Sequence, residues 1–160
     1  LNTLSLHDAL PISKFVAERA HWVHTIGRLK TARRLSEQRP PEMPPLQVCI
    51  EVNIAGEEAK HGVAPDEAVA LAVEVAKLPN VVVRGLMCVA KADSDDEALR
   101  VQFQTMQKLL ADLNAAGVHA DVLSMGMSGD MPVAVACGAT HVRIGSAIFG
   151  RREPKGKDSQ

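Results

Sequence analysis

The sequence predicts an α/β fold, an incomplete (β/α)8 barrel holding about five of the eight βα units. Three observations carry this. Strand-like and helix-like runs alternate along the 160 residues. The strand-like runs are almost continuously apolar, as in parallel strands covered by helices. The connections have the length expected of βα units. An open doubly wound sheet shares these features, but five units at the C-terminal end of a longer barrel suit the chain better.

The first strand is "WVHTI", Trp22 to Ile26. "RLKTARRLSEQ" follows with helical spacing: Leu29, Ala32 and Leu35 share one side and the basic residues the other. "RPPEMPP" stops that helix. "LQVCIEVNI", Leu46 to Ile54, is a β-branched strand, and "GEEAKHG" a loop. "PDEAVALAVEVAKLP" reads as a helix with Pro65 in its first turn and Lys77 near its end. "NVVVRGLMCV" is a Val-rich strand. "SDDEALRVQFQTMQKLLADLNAAG" opens on a capping box, Ser94 with Glu97, and closes at Gly117. "DVLSMGM" is a strand and "GDMPVAVACG" a short helix. "HVRIGSAIFG" is a last strand running into a turn.

The N-terminal run stands apart from this rhythm. Thr3 to Ile12, "TLSLHDALPI", back-translates as ACT CTT TCC CTA CAC GAC GCT CTT CCG ATC, a common sequencing-library adapter read in one frame. The alternative is an ordinary amphipathic N-terminus. Residues 1–13 are therefore expected to be adapter-derived and foreign to the fold. Residues 14–152 would be the barrel part, and 153–160 a polar tail.

Composition narrows the function. Net charge is −1, and no basic run is longer than the pair Arg33 and Arg34, so a nucleic-acid surface has little support. Aromatics make up 2% and there is no Tyr, which argues against base stacking. No apolar run is long enough to span a membrane. Cys49, Cys88 and Cys137 are widely spaced in apolar runs. They read as reduced core residues of a cytoplasmic protein rather than as metal ligands. His21 and His24 lack a partner ligand at metal spacing and read as structural.

In parallel α/β folds ligands bind at the C-terminal strand ends. After "DVLSM" comes "GMSGD", where Ser128 is a natural N-cap and Gly126 and Gly129 permit close backbone approach. After "HVRI" comes "GSAIFG", where Gly145 and Ser146 open a helical turn. Each alone could be a capped helix after a tight turn. Together, at the end of a barrel, they suggest a phosphate site. Arg143 shares a strand face with His141 and Gly145 by alternation. It faces either an anion or an inward carboxylate such as Glu51, since burial alone is costly. Glu51 and Asn53 share a face with Cys49. Lys60, in the following loop, is at best a weak Schiff-base candidate. Ser128 does not sit in a G-x-S-x-G elbow, so a hydrolase nucleophile is unsupported.

Four motifs now occur together: Asn53-x3-Glu57-x2-Lys60-x-Gly62, "RGLM" at Arg84 to Met87, "LSMGMSGDM" at Leu123 to Met131, and "VRIGSAIFG" at Val142 to Gly150. With them, from about Lys14 to Arg152, the chain resembles the pyridoxal phosphate homeostasis proteins, the YggS/PROSC family. The resemblance implies a barrel like that of the alanine racemase N-terminal domain. It implies binding of pyridoxal 5'-phosphate (PLP) without established turnover, and a cytoplasmic, monomeric carrier that keeps vitamin B6 and amino-acid pools in balance. PLP-dependent apo-enzymes are the implied recipients. The implied phosphate contacts are Ser124, Gly126, Met127, Ser128, Gly145 and Ser146. Arg143 would stand beside the pyridine ring and keep its nitrogen unprotonated, a poor electron sink.

The departures are equally specific. The family's PLP-linking lysine lies on its first strand, and a "HFIG-x-LQ-x-NK" signature follows its third; neither is present here. "MCVAKAD" has Lys91 where the family usually has proline after "GLM". Two alternatives stay open: a PLP-dependent enzyme of the alanine racemase type, which would need a catalytic Tyr, and a phosphate-binding barrel enzyme unrelated to PLP.

Overall fold

Four parallel strands stand side by side in chain order, β1-β2-β3-β4. A doubly wound sheet would reverse its strand order partway; this one does not, and it is an arc of a (β/α)8 barrel. The computed structural model describes residues 10–58 and 61–150. Along these run α1 (Leu10–Arg19), β1 (Trp22–Ile26), α2 (Leu29–Gln38), β2 (Leu46–Val52) and α3 (Pro65–Ala76). They are followed by β3 (Val81–Cys88), α4 (Asp96–Ala115), β4 (Val122–Ser124), α5 (Met131–Ala136) and α6 (Ser146–Phe149).

Alternation along the strands divides the sheet into two faces. Ile26, Val48, Ile50, Val83, Leu86 and Leu123 bury themselves under the helices, against residues such as Leu35, Val75, Phe103 and Leu113. The opposite face, which lines the inside of the arc, carries a smaller cluster of Cys49, Met87 and Val122, with Trp22 and Val89 against it. Register shifts between Val48 and Cys49 opposite β3, close to where Gly85 lies against β4. A Cβ at Gly85 would fall 1.8 Å from the Val122 carbonyl oxygen, so no other residue lets β3 and β4 pair this closely.

Helix ends follow their local chemistry. In α2, Ala32 and Leu35 are buried as the spacing predicts, and Arg39 ends the helix in extended backbone. Pro65 stands in the first turn of α3. Helix α4 ends in a Schellman motif: Val118 N–H donates to Leu113 O (3.1 Å), and Gly117 N–H, at φ +90, to Asn114 O (3.0 Å). Its start differs from expectation. Asp95, not Ser94, is the N-cap, and its carboxylate accepts from Ala98 N–H at 2.8 Å. Asp caps as well as Ser. Ser94 donates instead to Lys91 O, and the Lys91 side chain is exposed.

Two further differences concern the ends. Helix α1 has no counterpart in the sequence reading, and the boundary expected after residue 13 falls inside it. Its residue Ala17 is fully buried, and Arg39 ties it down: the buried guanidinium donates to Ala17 O (2.8 Å), Ala20 O (2.6 Å) and Pro44 O. The predicted last strand is reduced to a single bridge, Ser124 with His141. Its neighbour β4 is only three residues long, which leaves little edge to pair with. Val142 and Ile144 are consequently exposed, as are Ile148 and Phe149 on α6.

Candidate functional site

Ser124 closes β4 and is fully buried. Its hydroxyl meets two partners. Arg143 Nη1 donates to Ser124 Oγ at 2.8 Å and to the Ser124 carbonyl at 3.0 Å. His24 Nδ1, from the middle of β1, lies 2.8 Å from the same hydroxyl. Arg143 Nη2 also donates to Cys88 O at 2.6 Å, so one guanidinium joins the C-terminal ends of β3 and β4. Three of its five N–H donors are then engaged and two remain. Of the two outcomes open to Arg143, a ligand or an inward carboxylate, its hydrogen bonds take neither: they go to backbone and to Ser124. Burial lowers its pKa, with Asp130 and Glu51 among the charges acting the other way.

Beyond Ser124 the chain turns outward. Gly126 is buried at φ +99, and a Cβ there would lie 2.7 Å from Ala134 Cβ on α5. Its carbonyl accepts from Arg143 N–H at 2.9 Å, holding the two loops together. Met127 and Ser128 emerge to the surface. Ser128 does not cap α5 as the sequence suggests; Asp130 occupies the N-cap position. Asp130 instead accepts from Met127 N–H, closing the turn with its own carboxylate. Ser128 is thereby left with its hydroxyl exposed. Ser146 begins α6, and its Oγ is 3.4 Å from Ser128 Oγ. Gly145 precedes it in open space. The two loops singled out in the sequence thus meet hydroxyl to hydroxyl.

The inner face also carries an aromatic cluster, with Arg84 over the Trp22 ring. Trp22, His24 and His141 pack ring against ring with centroids 5.6 to 5.8 Å apart. Burial lowers the His24 pKa, and neighbouring His141 and Arg143 lower it further. Burial pushes the Cys49 and Cys88 thiols up to about 12, which keeps them protonated and unreactive. Asn53 donates to Glu57 O at 2.9 Å, while its Oδ1 is buried without a partner among the described residues. Lys60 lies outside the described residues. No group of three metal-ligating side chains occurs among the described residues, and no helix among them is long and apolar enough to cross a membrane.

Sequence reasoning brought Ser128, Ser146 and Arg143 to one end of the sheet. It missed His24. The only signal available was that His24 alternates onto the same face as Trp22, inside the arc.

The chain is similar to known proteins. The family model "Alanine racemase, N-terminal domain" matches residues 4–153. The pyridoxal phosphate homeostasis protein of Pseudomonas aeruginosa is 49% identical over 138 residues, 86% of this chain and 59% of that protein. Its counterpart from Vibrio alginolyticus is 47% identical, over 95% of this chain and 67% of that protein. PipY of Synechococcus elongatus, solved with PLP bound, superposes with a TM-score of 0.78 at 27% identity, covering 90% of this chain and 68% of PipY. The chain spans about six tenths of the length of the Pseudomonas relative. By fold, by motif and by family match, it belongs to the alanine racemase N-terminal domain family.

Proposed function

We propose that the chain binds PLP at the C-terminal end of its strands and serves vitamin B6 homeostasis as a cytoplasmic, monomeric, non-catalytic carrier that supplies PLP-dependent apo-enzymes. The observation that carries this is the meeting of Ser128 Oγ and Ser146 Oγ, 3.4 Å apart, from loops 18 residues apart in sequence. Two exposed hydroxyls, at the same end of the sheet as an arginine with two N–H donors to spare, form a donor set suited to a phosphorylated ligand. The names of the relatives and the PLP held by PipY support the same reading.

In this reading Ser128 and Ser146 donate to the phosphate, and the backbone N–H groups of Ser128 and Gly145 assist them, those of Met125 and Met127 being engaged by His141 O and Asp130. Gly126 and Met127 shape the turn. Ser124 contributes through its backbone and through Arg143, because its own hydroxyl is buried and engaged. PLP, when bound, supplies an electron sink whose strength depends on protonation of its ring nitrogen. Arg143 is a permanent cation with no proton-accepting atom. Placed near that nitrogen, it disfavours the protonated ring, which suits storage of the cofactor rather than carbanion chemistry.

Trp22 is the only tryptophan in the chain and lies on the inner face, so its fluorescence reports on the site. Titration with PLP should quench it saturably, pyridoxal should bind more weakly, and inorganic phosphate should compete. Equal affinity for PLP and pyridoxal would remove the phosphate site. Racemisation of amino acids by the PLP-loaded chain would remove the non-catalytic reading.

A further inference from the structure

We infer that His24 is a positioning residue for this site: by accepting a hydrogen bond from the Ser124 hydroxyl it fixes Ser124, and through Ser124 the guanidinium of Arg143. The inference rests on the PLP reading only for its functional consequence.

The direction of each hydrogen bond follows from the chemistry of the three groups. A guanidinium has only donors, so Ser124 Oγ must accept from Arg143 Nη1. The hydroxyl then has one hydrogen of its own to place. His24 Nδ1, at 2.8 Å, is the partner available to receive it. His24 Nδ1 must therefore be the unprotonated nitrogen, and the neutral ring carries its proton on Nε2. The chain of donors runs from Arg143 to Ser124 to His24 without conflict. A protonated His24 would present a second donor to Ser124 Oγ and leave the hydroxyl hydrogen without its acceptor.

The surroundings favour the neutral form. The His141 ring stands edge-on to His24 at 5.8 Å, and the guanidinium lies just beyond Ser124. Trp22, on the same strand, covers another side at 5.8 Å. From the neighbouring strands Cys49 faces inward as a neutral thiol. The carboxylates of Glu51 and Asp130 act on Arg143 rather than on His24. With His24 in place Ser124 is completely buried, so no water shares the histidine's role as acceptor. Without that acceptor the hydroxyl can rotate, and Arg143 loses one of the two contacts that aim Nη1.

The test compares His24→Ala with His24→Asn, because the Asn side-chain oxygen can take the place of Nδ1. Long-range ¹H–¹⁵N correlation of the ligand-free chain should show His24 with Nδ1 unprotonated. Separate Arg143 Nη–H resonances should be resolved in the wild type and in His24→Asn, and averaged in His24→Ala. With PLP, His24→Ala should bind about five- to tenfold more weakly, the equivalent of one hydrogen bond, and His24→Asn within about twofold of wild type. Pyridoxal should lose the same factor, because the defect lies at Arg143 and not at the phosphate. An Nδ1-protonated ring, or His24→Asn behaving like His24→Ala, would overturn the inference. If the wild-type chain binds no PLP, the functional reading fails, and the tautomer and the Arg143 resonances still decide the role of His24.

Discussion

Gly126→Ala is the substitution that the geometry of the site tolerates least. Two separate penalties act at this position. The backbone is at φ +99, where an L side chain is strained by roughly 1–2 kcal/mol. The new Cβ would also sit 2.7 Å from Ala134 Cβ and 3.4 Å from Val142 Cγ1. Overpacking of that kind costs about 1–3 kcal/mol. The sum is about 2–5 kcal/mol, which for a chain of this size lowers the melting temperature by roughly 4–20 °C. Gly145→Ala is the matched control. Gly145 is exposed at φ −114 and nothing lies within 4 Å of its added Cβ, so the change should stay within about 0.5 kcal/mol. Thermal unfolding followed by circular dichroism reads both. Combining Gly126→Ala with Ala134→Gly removes the clash but not the backbone strain. The double mutant should therefore recover part of the loss, with a coupling of about 1 kcal/mol or more. Equal melting of the two single alanine variants, or no coupling in the double, would refute the packing described for this turn.

Three other outcomes are expected. Ser128→Ala and Ser146→Ala should each weaken PLP binding by roughly 10- to 150-fold, the worth of a hydrogen bond to a charged group, and leave pyridoxal binding nearly unchanged; titration of Trp22 fluorescence checks both. Arg39→Ala should destabilise the fold by about 2–4 kcal/mol, measured by urea unfolding, because the carbonyls of Ala17, Ala20 and Pro44 lose a buried cationic donor. Cys49 and Cys88 should resist thiol reagents in the native state, and their titration should make stability fall with rising pH. Their folded pKa is raised from 9.0 to about 12, so the folded state holds protons that the unfolded state releases, and stability present below about pH 9 is lost progressively toward pH 12. Unfolding free energies across that range check the sign.

Much of this architecture was legible because it is written in local periodicity. The apolar runs became β2 and β3 within a residue or two of the expected ends, since short β-branched runs bounded by turn signals favour strands. Leu29, Ala32 and Leu35 fixed the buried side of α2 in the same way. Helix α1 was not legible: Phe15 is half exposed while Val16 and Ala17 are buried, so its apolar residues form no clean stripe. Its position depends on Arg39, some twenty residues downstream. The last strand failed for the opposite reason. "HVRI" has strand composition, but strand state is a property of pairing, and β4 offers a partner only three residues long.

The site divides along the same line. Ser128, Ser146 and Arg143 could be found because glycine-flanked loops after consecutive strands fall at one end of a parallel sheet. The role of Ser128 was misjudged by proximity to a helix, since Asp130, one residue from the start of α5, takes the N-cap position. His24 escaped because its partner Ser124 is 100 residues away in sequence. No local pattern encodes a hydrogen bond across a barrel interior.

The most direct test of the account is a crystal structure of the chain grown with PLP. The phosphate should lie within hydrogen-bonding distance of both Ser128 Oγ and Ser146 Oγ, with the ring on the Arg143 side and the His24–Ser124–Arg143 chain of hydrogen bonds intact. A phosphate bound elsewhere on the molecule, or bound here with the ring turned away from Arg143, would contradict it.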